Sequence, residues 1–255
     1  MNSIGKNVKK NKTQLPGAGP RRTAAWLLAA AVAAAGLSAC APIPAGPEEY
    51  GAGRARLVLP STDWEDLGSS NEALPLQPLP GSFPLQTRAV GLRGANKELL
   101  AVVLLQTNRT NKWQGPTLWT GACQQQPDLR VVDAAEASPV RIDCLQVKRW
   151  ANNKGWIEKN HPAVVRWLDE HHATVNTPYT HLNYRYATEG GAYINVNAIV
   201  DQRLLWPKPR NNEEFLRAGL PVQEWSQKVV QAARTSVGMV DGFFALPPFP
   251  LPLPQ

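Results

Sequence analysis

The sequence is poor in the residues from which catalytic and metal sites are most often built. Among 255 residues there are 3 cysteines and 4 histidines. No glycine-rich phosphate loop follows a strand-like run, and neither a Gly-x-Ser-x-Gly elbow nor a His-Glu-x-x-His pair occurs. Clustered Cys and His residues of the kind that hold zinc are also missing. The pattern therefore argues against P-loop, α/β-hydrolase and zinc-protease chemistry, and it predicts no cofactor and no bound metal.

Long hydrophobic runs are scarce as well, and the one present lies near the amino terminus. It contains about 14 residues, or ~21 Å as a helix, and is too short to cross a ~30 Å hydrocarbon core comfortably. The segment before it carries only positive charges: Lys6, Lys9, Lys10, Lys12, Arg21 and Arg22. A cationic region, a short apolar region and then small residues are typical of a secretory signal peptide.

Leu37-Ser38-Ala39-Cys40 ends this apolar run and resembles the lipobox of bacterial lipoprotein precursors. The resemblance covers residues 1–40. It implies that residues 1–39 are removed, that the Cys40 thiol carries a diacylglyceryl group, and that the new amino terminus is acylated, for example with palmitate. Two or three acyl chains hold a protein stably at a bilayer. The other interpretation is an ordinary cleavable signal that happens to neighbour a cysteine.

The resemblance also implies a location. A lipid on Cys40 makes the membrane a partner and places the protein in the cell envelope. Ala41 is not the Asp that retains enteric lipoproteins in the inner membrane. This favours the outer membrane, facing the periplasm.

The excess of positive charge belongs mainly to the leader. The formal charge of the whole chain is +7, from 27 Lys and Arg against 20 Asp and Glu. Six of the basic residues and none of the acids precede Cys40, so the mature chain carries 7 − 6 = +1. Nucleic-acid binding therefore loses its main support, and no nucleic-acid partner is expected.

Two cysteines, Cys123 and Cys144, remain after Cys40. An even pair in an oxidising compartment predicts a disulfide. Closing a loop of about 20 residues would stabilise the fold by roughly 3 kcal/mol in the chain-entropy treatment. Two buried free thiols are the alternative. A catalytic thiol is not expected, because no histidine or basic cluster lies nearby in the sequence.

The apolar pattern predicts one α+β domain over residues 54–242. We expect a mainly antiparallel sheet with three or four helices on one face, an order of elements that loosely resembles the PsbP/Mog1-like arrangement. Strands are expected at residues 54–59, 85–92, 99–106, 117–123, 129–133 and 140–147 and in a hairpin at 180–200. The run 99–106 is almost continuously apolar, which is typical of a strand buried on both faces.

Helices and connections follow from capping and turn residues. Helices are expected from Pro162, from Asn211 with Glu214 as its capping partner, and from Pro221. Residues 40–53 are expected to form a tether, and the proline-rich residues 68–84 a long irregular connection or lid. Residues 243–255 form a proline-rich tail that either packs along its own domain or presents a ligand to a partner's aromatic groove; we favour packing.

The hairpin at 180–200 carries the best candidate site. Its even-numbered apolar residues share one face if the loop has an odd residue count, and Glu189-Gly190-Gly191 supplies three. The expected register pairs Tyr186 with Ile194, Tyr184 with Val196, Leu182 with Ala198, Arg185 with Asn195 and Asn183 with Asn197. The opposite face then carries His181, Asn183, Arg185, Tyr193, Asn195 and Asn197. These side chains either bind a ligand, with Arg185 suited to a carboxylate or phosphate, or form a solvated sheet face, which we favour.

Other groups of chemical interest have simpler explanations. His171 and His172 would form a metal pair with His161 or His181, but neighbours on a helix point about 100° apart, which favours two unconnected histidines. Asp63, Glu65 and Asp66 suit a short acidic surface loop better than a glycosidase pair. Six scattered tryptophans suit a core better than a sugar site: Trp113, Trp119, Trp150, Trp156, Trp167 and Trp225.

Two functions from different classes remain open. The first is a non-enzymatic envelope lipoprotein that binds another envelope protein or component. The second is a periplasmic hydrolase that uses the polar face of the hairpin. A hydrolase needs a pocket with His181 or Arg185 beside a carboxylate, whereas a binding protein needs a broad exposed patch.

The lipid anchor is testable through Cys40. We expect Cys40→Ser to move the protein from the membrane fraction to the soluble fraction and to stop processing at this position, because the thiol that carries the lipid is lost. Fractionation and the mass of the amino-terminal peptide measure this. Unchanged membrane association and unchanged processing would rule the anchor out.

Overall fold

Ten strands and four α-helices make up the part of the chain that the structure describes. The computed structural model describes residues 49–75, 81–110, 118–119, 122–237 and 242–254, which all fall in one compact unit. The predicted leader, the lipobox with Cys40, most of the predicted tether and Trp113 lie outside these residues. None of the described helices is long and apolar enough to span a membrane.

The strands are short in the first sheet and long in the second. In chain order they are β1 (Glu49–Ala52), β2 (Ala55–Val58), β3 (Trp64–Pro75), β4 (Ser82–Arg93), β5 (Leu99–Asn108), β6 (Arg130–Asp133), β7 (Ile142–Ala151), β8 (Tyr179–Ala187), β9 (Tyr193–Asp201) and β10 (Phe243–Ala245). The helices are α1 (Gly155–Asn160), α2 (Pro162–Glu170), α3 (Asn212–Arg217) and α4 (Leu220–Val237), with a 3₁₀ helix at Gln202–Leu204.

The main sheet has seven antiparallel strands in the order β3-β4-β5-β9-β8-β7-β6. A smaller sheet has the order β1-β2-β10, and β10 runs parallel to β2. The predicted α+β class with a mainly antiparallel sheet is therefore confirmed. Strand β5 is buried on both faces, as its continuous apolar run predicts.

Helices cover both faces of the main sheet, which corrects the expectation of one face. On the first face, Trp225 and Val229 of α4 pack with Tyr184 of β8 and Leu105 of β5. The apolar stripe of α4 predicted from its 3.6-residue period forms this contact. A sheet with an interior strand that is apolar on both sides needs a second cover, and two further clusters supply it.

The second face is covered in two separate parts. At one end, Val164, Trp167 and Leu168 of α2 pack against Val102 and Ile199. At the other end, the segment before β6 covers a cluster of six residues: Phe83, Leu85, Ile142, Cys144, Ala187 and Tyr193. The polar middle of the face lies between these two apolar clusters.

A disulfide joins Cys123 to Cys144 of β7, with their Cα atoms 5.5 Å apart. It attaches the covering segment to the sheet. The strand predicted at 117–123 is wrong for the described residues there, since Leu118, Trp119 and Cys123 lie outside strands. The disulfide therefore ties a loop to a strand.

The hairpin forms in the predicted register. Tyr184 pairs with Val196, and Arg185 pairs with Asn195, and the other predicted pairs also form. The Thr188 N–H donates to the Ala192 carbonyl at 2.9 Å, which leaves three residues at the tip. Gly191 has φ +86°, a conformation that favours glycine.

The prediction of an irregular connection at 68–84 is wrong for the described part. Residues up to Pro75 continue β3, and β4 begins at Ser82; residues 76–80 lie outside the described residues. The irregular connection was predicted because proline is rare inside strands. Pro75 is the last residue of an edge strand, where a missing N–H costs little.

Both ends of the described chain belong to the small sheet. Strand β1 lies inside the segment predicted as tether and pairs with β2. In the tail, Phe244 is fully buried, and the Phe249 ring lies 5.9 Å from the Trp64 ring and 5.1 Å from the Trp225 ring, centroid to centroid. The Trp225 indole donates to the Pro247 carbonyl at 3.1 Å. This part of the tail packs on its own domain, as favoured.

Two neighbouring phenylalanines test how much this packing contributes. Phe244 is 0% exposed, whereas Phe243 is 42% exposed and contacts Arg56 through its ring face. We expect Phe244→Ala to lower the free energy of unfolding by about 3–5 kcal/mol. The control, Phe243→Ala, should lose only about 1 kcal/mol or less. Urea unfolding measures both, and equal losses would contradict the packing of the tail.

Candidate functional site

The predicted site residues of the hairpin lie together on one face of the sheet. The Asn183 side-chain N–H₂ donates to Asn195 Oδ1 at 2.8 Å and to Asn197 Oδ1 at 2.9 Å. His181 and Arg185 occupy the same face of β8. The alternation of the hairpin therefore predicted this grouping correctly.

The expectation that this face is solvated is wrong. His181 is 1% exposed, and Asn183 and Asn197 are also buried. The apolar clusters under α2 and beside the disulfide lie on either side of these residues. Alternation within one hairpin shows which residues share a face, but the covering segments come from elsewhere in the chain.

The polar residues continue across three more strands. Gln106 of β5 donates to Glu72 Oε2 of β3 at 2.7 Å and to Thr87 Oγ1 of β4 at 3.1 Å. The Thr87 hydroxyl donates to Glu72 Oε1 at 2.7 Å, and Asn195 donates to Gln106 Oε1 at 3.5 Å. We call this row the polar belt: Glu72, Thr87, Gln106, Asn183, Asn195 and Asn197. Sequence reasoning missed its first three members, although Gln106 directly follows the apolar run of β5.

The polar belt satisfies its own hydrogen bonds. Each of its amides has a partner within the row, which runs from buried Asn183 to exposed Glu72 and ties the strands together. Arg185 is occupied in part: its guanidinium donates to the Ala122 carbonyl, while its buried Nε has no partner among the described residues. Burial lowers the pKa of Arg185 and raises the pKa of Tyr193 to about 12. The hydrogen bonds of the belt therefore favour a structural role over ligand binding.

A histidine pair lies at the α2 end of the belt. The His161 and His181 ring centroids are 4.3 Å apart, and Trp156 lies 5.5 and 5.3 Å from them. Burial lowers the pKa of His161 to about 4, and nearby Arg185 adds to the effect. Burial, and then His161, lower the pKa of His181 well below its usual range. Both rings are therefore neutral at physiological pH.

The remaining histidines do not join this pair. His171 lies just after α2 and stacks on Trp167 at 3.8 Å between ring centroids. His172 is exposed and has φ +52°. Among the described residues no group of three or more His, Cys, Asp or Glu is placed to hold a metal ion. The simpler explanation of two unconnected histidines is the one that the geometry favours.

The acidic residues near Trp64 form ordinary ion pairs. Glu65 pairs with Arg93 at 2.6 Å, and Asp66 pairs with Arg88 at 2.7 Å. Trp64 itself is buried against Phe249. Glu65 and Asp66 lie in strand β3, so the expected acidic loop is wrong for these two residues, although their ion pairs suit a surface role.

A large apolar groove that the sequence did not reveal lies among the described residues. It encloses about 1010 Å³ between the end of β7, residues 202–209, α3, the start of α4 and tail residues 251–254. Eight large apolar side chains of the described residues are exposed, and five of them line this groove: Trp150, Phe215, Leu216, Leu220 and Leu253. Phe215 and Leu216 are 69% and 82% exposed.

Local structure explains why these apolar residues stay exposed. The Asn211 side chain caps α3 by accepting from the Glu214 N–H at 2.8 Å, as predicted. The helix that follows has six residues and buries none of them. Trp150 was expected in the core, but it lies in a β-bulge of β7 and is 50% exposed. The predicted apolar face of Phe215 and Leu216 thus lines a groove.

The buried histidines predict a loss of stability in acid. In the unfolded chain both have a pKa near 6.5. In the folded chain the pKa of His161 is about 4 and that of His181 is also lowered, so below pH 6.5 the unfolded state binds protons that the folded state does not. The free energy of unfolding therefore falls as the pH falls, by up to about 1.4 kcal/mol per pH unit for each histidine. Urea unfolding between pH 7.5 and 5 measures the slope.

Two variants assign this slope. His161→Phe keeps an aromatic ring beside Trp156 and removes one titrating group, and we expect about half of the pH dependence to disappear. His172→Asn changes an exposed histidine at a positive φ that Asn tolerates, and it should leave the slope unchanged. An unchanged slope in His161→Phe would disprove the assignment.

Comparisons of the chain with known protein families, with curated proteins and with solved structures found no match.

Proposed function

We propose that this protein is a lipid-anchored envelope lipoprotein that binds an apolar ligand or partner segment in the apolar groove, without catalysing a reaction. One observation carries the binding part of the proposal. Five of the eight exposed large apolar side chains of the described residues line this one groove. Apolar side chains grouped in this way, instead of scattered singly, mark an interaction site.

The dimensions of the groove support a bound ligand. Its volume of about 1010 Å³ lies at the upper end of the ~300–1,000 Å³ usual for ligand sites. Such sites are lined mainly by apolar and aromatic side chains with a few polar groups. This groove has Trp150, Trp206 and Phe215 with Gln202 and Gln223 among them.

The anchor and the location are supported by independent features. The cationic region, the apolar run and Leu37-Ser38-Ala39-Cys40 follow one another in the order of a lipoprotein leader. The disulfide between Cys123 and Cys144 suits an oxidising compartment such as the periplasm. Ala41 favours the outer membrane. The PsbP/Mog1-like arrangement stays a prediction beside these.

The hydrolase alternative has less support. His181 is buried, and among the described residues no carboxylate forms a hydrogen bond or an ion pair with it. Arg185 is held by a backbone carbonyl of the covering segment. A general base needs a reachable substrate and a group that orients it. The hairpin face supplies neither among these residues, and the groove is the better site.

Photo-crosslinking in the native envelope tests the groove. The probe is a neutral long-chain alcohol with a diazirine in its chain, and mass spectrometry locates the labelled residues. We expect labels on the groove, between residues 203 and 220. Phe215→Ala with Leu216→Ala should lower labelling at low probe concentration by about tenfold, because apolar burial of roughly 1.4 kcal/mol or more is lost.

The control uses an exposed aromatic residue outside the groove. Phe243→Ala removes a comparable ring from the small sheet, and its labelling should match that of the unmodified protein. Label confined to other surfaces, or an equal decrease in both variants, would refute binding in the groove.

A further inference from the structure

We propose that the ligand of the apolar groove is a single-chain anionic amphiphile, with its carboxylate or phosphate at Arg149 and Lys208 and its acyl chain over Phe215 and Leu216. This inference rests on the proposed function and adds the chemistry of the ligand. Four features of the groove carry it.

The charge of the lining is the first feature. Three cations, Arg149, Arg203 and Lys208, line the groove, and no acidic residue lines it. Arg203 is neutralised by Asp201 at 2.8 Å and faces Glu98 at 3.7 Å. In the described residues Arg149 and Lys208 have no ion pair. The lining therefore offers two uncompensated positive charges, which an anionic headgroup complements.

The bulge in β7 is the second feature, because it directs Arg149 to the groove. Lys148 pairs with His181 and Ala151 pairs with Tyr179, so two residues of β7 face the single residue Thr180. A bulge of this kind re-aims side chains at the edge of a sheet. Arg149 and Trp150 are the two bulged residues, and both line the groove and are exposed. A cation and an apolar ring thus enter the groove side by side.

Hydrogen bonds hold this bulge in place. The Arg149 carbonyl accepts from Gln202 Nε2 at 2.7 Å and from the Thr180 hydroxyl at 2.9 Å. The Trp206 indole donates to Thr180 Oγ1 at 3.3 Å. A Cβ built on Gly219 would lie 3.7 Å from the Trp206 ring and 3.9 Å from Arg149 Nη1. The Arg149 guanidinium therefore reaches Gly219, a residue of the groove lining, from a fixed backbone.

The shortage of hydrogen-bond partners is the third feature, and it favours an acyl chain over a peptide. Five prolines in the lining offer no N–H: Pro178, Pro207, Pro209, Pro252 and Pro254. The Gln202 amide N–H₂ is already committed to Arg149 and Thr180. A peptide backbone buried here would find few N–H donors for its C=O groups, which is costly. An acyl chain has none to satisfy.

The anchored tail is the fourth feature, because it makes the groove a lasting part of the fold. The Leu251 N–H donates to the Leu204 carbonyl at 3.3 Å and attaches the tail wall to the 3₁₀ helix. Upstream, Phe249 packs between Trp64 and Trp225. The wall that carries Leu253 is thus fixed at its base, and α3 also lines the groove.

Three diazirine probes with the same chain and different headgroups test the inference in the native envelope at pH 8. They are a fatty acid, an alkyl phosphate and the neutral alcohol. We expect at least one anionic probe to label the groove of the unmodified protein about tenfold more than the alcohol, as one charge-assisted hydrogen bond provides. The ratio of acid to phosphate identifies the headgroup.

Variants assign the preference to its residues. Arg149→Gln with Lys208→Gln should bring the anion-to-alcohol ratio in the groove close to one while the alcohol still labels. Lys228→Gln, an exposed cation of α4 outside the groove lining, should keep the full ratio. A preference that survives the double variant would overturn the assignment to Arg149 and Lys208.

The two proposals fail in different ways. Equal labelling of the groove by all three probes in the unmodified protein would overturn the anionic ligand and leave groove binding intact. Absence of groove labelling by every probe would overturn the proposed function and the ligand class together.

Discussion

The burial of β5 on both faces is the constraint on which the rest of the structure depends. Leu99–Asn108 is an interior strand of the seven-stranded sheet, and its apolar side chains point to both sides. Each side must be covered, and no single helix can cover two faces. Helix α4 and the tail cover one face, and α1–α2 with the disulfide-linked segment cover the other. The architecture follows from these two requirements.

The polar belt follows from the same constraint. The second face is covered by two separate segments, and between them the sheet presents amides and hydroxyls instead of apolar groups. Buried amides without partners would cost about 1–3 kcal/mol each. They pair across β3, β4, β5, β9 and β8 instead, from Glu72 to Asn183. The belt therefore links five strands by side-chain hydrogen bonds and fixes their register.

Sequence reasoning succeeded where the deciding interactions are local. The hairpin register follows from alternation within 20 residues and from the loop at Glu189-Gly190-Gly191, and the cap of α3 follows from Asn211 and Glu214. It failed where segments distant in the sequence determine the structure of a residue's surroundings. Burial of His181 depends on α1–α2, and the strand character of residues 68–75 depends on pairing with β4. Residues near a proline-rich stretch look irregular until their partner strand is known.

The groove shows the same limit most clearly. Phe215 and Leu216 form an apolar face in the sequence, and such a face normally predicts a core contact. Whether this face packs on the core depends on the path of residues 202–209 and of the tail. No local sequence pattern predicts that path. The tail is held by Phe249 and by Leu251, and it lines the groove together with α3.

A lipid on Cys40 would hold the domain that carries this groove near the membrane. A chain of nine residues reaches at most about 32 Å, so an anchored Cys40 would keep Glu49 within that distance of the bilayer surface. Tethering of this kind raises the effective concentration of membrane components at the protein. An apolar groove with Arg149 and Lys208, which form no ion pair with the residues that the structure describes, would then lie close to a source of anionic acyl chains. The leader and the groove residues lie far apart in the sequence. One proposal explains both: the lipid holds the domain where its ligand is abundant.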